Sequence, residues 1–258
     1  MSATEDTPLY ERRRYRQPPI IEAVCEFRFA QGTADWNPAI PGLLYERLRT
    51  EYPETPRQQL GTGVEFEPQS PSSGRISLTP ATSVELSDAD ERNSVVLAPN
   101  LLVVRVRTPY PGWETFHGRI VHVLSQFAEV SGEAAVHRIG IRYVNRVVVQ
   151  SENVRLDEYF NAPPSTPDDF PESLVGVFAR FESHYEESDQ RDVRLVYTFA
   201  SAPEENGSAF MLDLDVIEFF QQAVPLGGAL PLTDLKSKET AAFEAIITDR
   251  TRDLIDAD

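Results

Sequence analysis

The segment at 137–149, HRIGIRYVNRVVV, alternates residue by residue and reads as one long strand with two unlike faces. Ile139, Ile141, Tyr143, Asn145, Val147 and Val149 share one face; Arg138, Arg142 and Arg146 share the other with Gly140, Val144 and Val148. Such a strand belongs in an antiparallel sheet whose apolar side is covered and whose charged side is open.

The same pattern opens the chain's first half. After Pro18 and Pro19, the stretch IIEAVCEFRF sets Ala23, Cys25, Phe27 and Phe29 against Glu22, Glu26 and Arg28. GLLYERLRTEY then predicts a short helix, with Leu44 and Leu48 one turn apart and Pro53 as its stop. Between 57 and 107, the runs GVEFEP, RISLTP, SVELSD, SVVLAP and LLVVRVRT predict several strands in an antiparallel meander. From Trp113 the period changes. Phe116, Ile120, Val123, Leu124 and Phe127 recur at helical spacing, and Gly132 is placed to end the helix.

Beyond the 137–149 strand, LDEYF reads as a helical turn and NAPPSTPDDFPES as a proline-rich loop. LVGVFARFESHYEE, DVRLVYTFAS and AFMLDLDVIEFF predict three strands, the last two joined by a tight turn at Asn206 and Gly207. A single final helix follows, capped by Thr233 or Asp234, with Leu235, Ala242, Phe243, Ile246, Ile247, Leu254 and Ile255 on its apolar positions. Both halves therefore run charged-faced strand, short helix, several strands, long helix. The expected fold class is α+β: antiparallel sheet with long helices on one face, built as two pseudo-repeated β-α-β(n)-α halves. By analogy at fold level, this is the connectivity of helix-grip or TATA-binding-like repeats. The expected organisation is a flexible arm at 1–17, a first half at 18–134, and a second half at 135–258 packed with the first as one unit.

A formal charge of −17 over 258 residues argues against general affinity for nucleic acid or anionic membrane and favours a basic partner. Only Lys236 and Lys238 are lysines; the remaining positive charge is arginine, which grips carboxylates and phosphates in a planar fork. The lone Cys25 cannot form an internal disulfide, and no apolar run approaches the ~20 residues that span a bilayer, so a cytoplasmic location is expected.

The leading candidate for binding is the surface that Arg138, Arg142 and Arg146 would share with Arg105 and Arg107 on a second strand and with Glu22, Glu26 and Arg28 on a third. It reads either as a salt-bridged solvent face or as a seat for an anionic ligand or a partner's acidic patch. Tyr143 and Asn145 fall on the opposite, buried side, where such groups satisfy internal hydrogen bonds. Asp213 and Asp215 share a strand face and are weak candidates for a divalent metal, since no HExxH or DxDxDG pattern supplies further ligands. His117, His122, His137 and His184 are scattered, and GxSxG, P-loop and GxGxxG patterns are absent. No catalytic residue and no cofactor is indicated.

PPIIEAVCEFRF, YERLRTEYP, RIGIRYVNRVVV and AAFEAIITDRTRDL, in that order and spacing, resemble a sporadically distributed, functionally uncharacterised bacterial protein family of about this length. The resemblance covers nearly the full chain. It implies no activity or ligand set, and where members of that family often carry a histidine early in the final helix, this chain has Lys236 and Lys238. The expectation is a non-enzymatic bacterial binding protein that engages a protein partner in an accessory, neutralising or defence-associated role. The alternatives are a metal- or phosphate-dependent hydrolase or nucleotide-handling enzyme, and a nucleic-acid binder using the arginine strands and the basic residues Arg12 to Arg16. A small anionic ligand and a homo-oligomer are both compatible with this composition.

Overall fold

The computed structural model describes residues 14–30, 36–70, 73–132, 134–151, 154–164, 176–186 and 191–256, with the backbone alone where these fall within 60–81. The first half contributes β1 (Ile20–Phe29), α1 (Ile40–Leu48), β2 (Arg57–Ser70), β3 (Ser73–Ser87), β4 (Asn93–Ala98), β5 (Leu101–Arg107) and α2 (Trp113–Ser131). The second contributes β6 (Ala135–Val149), α3 (Leu156–Tyr159), β7 (Phe178–His184), β8 (Asp192–Ala202), β9 (Ser208–Pro225), α4 (Leu232–Ile246) and α5 (Asp249–Asp256). All nine strands form one antiparallel sheet in the order β2-β3-β4-β5-β1-β6-β9-β8-β7. The two strands read first from the sequence, β1 and β6, are neighbours at its centre, with Cys25 opposite Ile141 and Ala23 opposite Tyr143.

The alternation decides which side the helices cover. Ala23, Cys25 and Phe27 of β1, Val104 of β5 and Ile139, Ile141 and Tyr143 of β6 are fully buried in one core with Phe116, Ile120, Val123 and Phe127 of α2. A second core on the same side joins Val147, Val149, Phe199, Phe210, Leu212 and Leu214 to Tyr159, Phe243, Ile246 and Ile255. Stacking of Phe29 on Phe127 and edge packing of Phe160 on Phe199 and Phe210 add directional contacts. Among the described residues no helix is long and apolar enough to cross a membrane.

Three local readings are corrected. The final helix is two helices: Ile247 is extended and bridges Phe160, while Thr248 bonds the carbonyl oxygens of Glu158 and Tyr159 and restarts the helix as α5. The start of α4 lies at Leu232 after Pro231 and carries no side-chain cap, so neither Thr233 nor Asp234 serves as one. RISLTP and SVELSD form one strand, β3: among the described residues Pro80 pairs with β2 alone, since β4 joins β3 only from Val84 onward, and such an edge tolerates a proline. Of the expected N-terminal arm, 1–13 lie outside the described residues, as does most of the proline-rich loop; 15–17 are tied to the C-terminal helices. Tyr15 Oη donates to Glu244 at 2.5 Å, Arg16 N to Asp256 at 3.2 Å and Gln17 N to the Ile255 carbonyl at 3.0 Å.

Candidate functional site

The side of the sheet facing away from the described helices carries all eight residues singled out above. Register explains it: Glu22 faces Arg107 on β5 and Val144 on β6, while Glu26 faces Val103 and Gly140, so the charged residues of three strands fall on one surface. Carboxylates from elsewhere in the chain interleave with them. Arg105 contacts Glu85 on β3, lies 3.7 Å from Glu22, and donates to Ser94 Oγ at 3.0 Å; Arg107 lies 3.6 Å from Glu22. Glu26 is shared between Arg28, at 2.8 Å, and Arg138. Arg146 donates to Glu204 at 2.6 Å and to the Pro203 carbonyl at 3.1 Å. Further out, Arg194 pairs with Asp192 and Glu182 and lies over the Phe219 ring.

Asp213 and Asp215 join this face from β9. Asp215 stands opposite Arg142, yet the Arg142 guanidinium forks onto Asp213, with contacts of 2.7 and 2.5 Å. The fork holds the Arg142 proton more tightly, raising its pKa. No hydrogen bond reaches the Asp215 side chain among the described residues. Burial pushes its pKa to about 6; Glu26 and Asp213 add to the rise, and Arg138 and Arg142 oppose it. Burial also raises Glu26, but Arg138 and Arg28 outweigh it and hold the carboxyl below its usual range. With Asp213 committed to Arg142, the two aspartates do not present a free chelating pair, and no cluster of three metal-binding side chains occurs among the described residues.

The face is not wholly polar. Val144 and Ile217 lie on it and are nearly fully buried, although neither belongs to the cores packed under the described helices; long arginine stems can cover such apolar surface while their heads reach carboxylates.

No family model and no curated protein matches the chain. Among solved structures it is similar to the di-domain ARO/CYC protein StfQ from the steffimycin biosynthetic pathway, at 10% identity over 87% of this chain and 92% of that one. The TM-score is 0.18, a likeness too slight to bear on fold or function.

On the covered side, Tyr143 and Asn145 are buried as expected. Tyr143 Oη is 2.7 Å from Tyr110 Oη, and Asn145 Nδ2 donates to the Leu212 carbonyl at 3.2 Å. The sequence reading missed what stands over them. Lys236 of α4 places its ammonium 3.9 Å from the centre of the Tyr143 ring and pairs with Glu239, which is almost fully buried. Burial raises the Glu239 pKa against the opposing pull of Lys236. The available signal was the placement of both lysines of an otherwise arginine-only chain on one helix. Nearby, Glu218 is buried beneath the start of α4 and accepts a two-pronged bond from Arg191 at 2.9 and 2.7 Å, an arginine that also reaches Asp234. The histidines stay dispersed: His117 lies against Trp113, His122 is 3.5 Å from Glu51, and His184 is 3.4 Å from Asp192.

Proposed function

We propose that the protein is a non-enzymatic binding protein of the bacterial cytoplasm whose open sheet face docks a protein partner. The observation that carries this reading is the face itself, a surface running across the sheet on the side away from the described helices and patterned with alternating arginine and carboxylate side chains. A surface of both signs over an apolar floor matches another protein carrying the complementary pattern, and wrong partners are rejected by like charges. Nucleic acid or a free phosphate needs unmatched cations in a row, whereas these guanidinium groups already meet carboxylates of the same chain. The overall charge of −17 favours a partner that is basic as a whole, consistent with an accessory or neutralising role.

The strand order supports an origin in two copies of one β-α-β(n)-α unit. β1 and β6 meet at the centre, β5 flanks the first as β9 flanks the second, and α2 and α4 follow in corresponding places.

The test is capture of a partner from the native cells, compared with two variants. Arg107→Glu reverses one exposed charge; Arg142→Glu with Asp213→Arg keeps an ion pair but reverses its polarity. The expected result is a stoichiometric protein, resistant to nuclease, that both variants lose while their melting temperature moves by less than about 4 °C. Capture equal to the unaltered protein, or retained material that is nucleic acid, would overturn the reading. A large fall in melting temperature would make the arginines structural instead.

A further inference from the structure

On the covered side of the sheet, a cavity of about 500 Å³ opens between the entry to β1, the connection into α2, the far end of β6 and the flank of α4. That volume lies within the range of small-molecule sites. Pro18, Pro19 and Ile20 form one wall, Trp113 and Phe243 contribute aromatic surface from two helices, and Asn145, Lys236 and Glu239 supply polar groups.

Asn145 carries the argument. It is 2% exposed and sits mid-strand among valines, where an apolar residue would pack without penalty. Its amide nitrogen is directed at the carbonyls of Leu212 and Tyr143, which turns Oδ1 away from the sheet, and Oδ1 has no hydrogen-bond partner among the described residues. The atom is not sealed into the core but stays accessible at the cavity wall, so a guest's donor can bond it in place of water, a net gain of about 0.5–1.5 kcal/mol.

The ion pair is a second, independent observation. Lys236 and Glu239 face the same cavity, buried against the Tyr143 ring, where an apolar pair would be at least as stable. Their charges cancel each other, and Glu244 is matched by Tyr15 and Arg252. The cavity therefore favours a guest without net charge.

We propose that this cavity binds a small uncharged aromatic molecule whose N–H or O–H group donates to Asn145 Oδ1. The site is separate from the open sheet face and stands whether or not that face docks a protein.

Three matched probes test it by titration calorimetry on the full chain: 1-naphthol, which is neutral with a donor; 1-methoxynaphthalene, neutral without one; and 1-naphthoate, an anion. The expected result is one naphthol per chain, bound about tenfold more tightly than the methoxy compound, the equivalent of one buried hydrogen bond, with naphthoate weaker still. Asn145→Leu should erase the difference between the two neutral probes. Since that variant also loses a bond to Leu212, Thr240→Trp provides a second arm, filling the cavity from the helix flank and excluding all three probes. Absence of naphthol binding, equal affinity for the two neutral probes, tightest binding of naphthoate, or unchanged binding by a folded Thr240→Trp protein would each overturn the proposal.

Discussion

Arg142 reaches past Asp215, the residue opposite it on β9, and clasps Asp213 in a two-pronged grip of 2.7 and 2.5 Å. Asp215 is left without that grip, and burial keeps its proton on to higher pH. Replacing Asp213 with Asn frees the guanidinium to turn to Asp215. The expected outcome is a fall of the Asp215 pKa from about 6 toward the ordinary carboxylate range, followed by carboxyl-carbon NMR titration. Because the Arg142 side chain is 45% exposed, the stability cost should not exceed ~1 kcal/mol.

Asp215 also sets a pH dependence. Its folded pKa lies above the value of an unfolded aspartate, so the fold takes up a proton there. The stabilising contribution is complete below the ordinary aspartate pKa and is lost as pH rises through about 6. A shift of that size corresponds to ~3 kcal/mol at most. Asp215→Asn should therefore gain relative stability as pH is raised from 4 to 7.5, measured by urea unfolding across that range. A variant that tracks the unaltered protein at every pH would remove Asp215 from the account.

The Lys236 and Glu239 pair predicts strong non-additivity. Lys236→Met alone leaves a buried carboxylate with no counter-charge and should cost on the order of 3–5 kcal/mol. Lys236→Met combined with Glu239→Leu removes both charges and should cost less than half as much. Chemical unfolding of the two single variants and the double variant gives the coupling directly.

At the turn between β8 and β9, Gly207 has a φ of 130°, and a β-carbon there would collide with the Val149 carbonyl oxygen. Gly207→Ala should destabilise the protein by roughly 2 kcal/mol or more through strained backbone and displaced chain together. Thermal unfolding is sufficient to read it.

Much of this architecture was legible because period-2 and period-3.6 patterns are local. The two faces of β6, the matching face of β1 and the buried stripe of α2 all followed from spacing alone. The same property misled at the C-terminus. Phe243, Ile246, Ile247 and Ile255 keep helical spacing across a break imposed by the bridge from Ile247 to Phe160, a contact between residues far apart in sequence. The candidate face was legible as a set of arginines, but not as a set of pairs. Glu85, Asp213 and Glu204 become partners only through strand order, which no local pattern encodes. The cavity was hidden for a related reason, since its walls come from four separate places in the chain.

The central pairing of β1 with β6 has a consequence for synthesis. As the chain leaves the ribosome, β1 can acquire β5 as a neighbour once about 107 residues are available, but its other flank stays open until β6 at 135–149 has emerged. During that interval the nascent protein offers a bare strand edge to any chain nearby, guarded only by Glu22, Glu26 and Arg28. A product terminated near residue 134 would carry that edge permanently and would pair with its own kind, so truncation here leads to self-association instead of a smaller working domain.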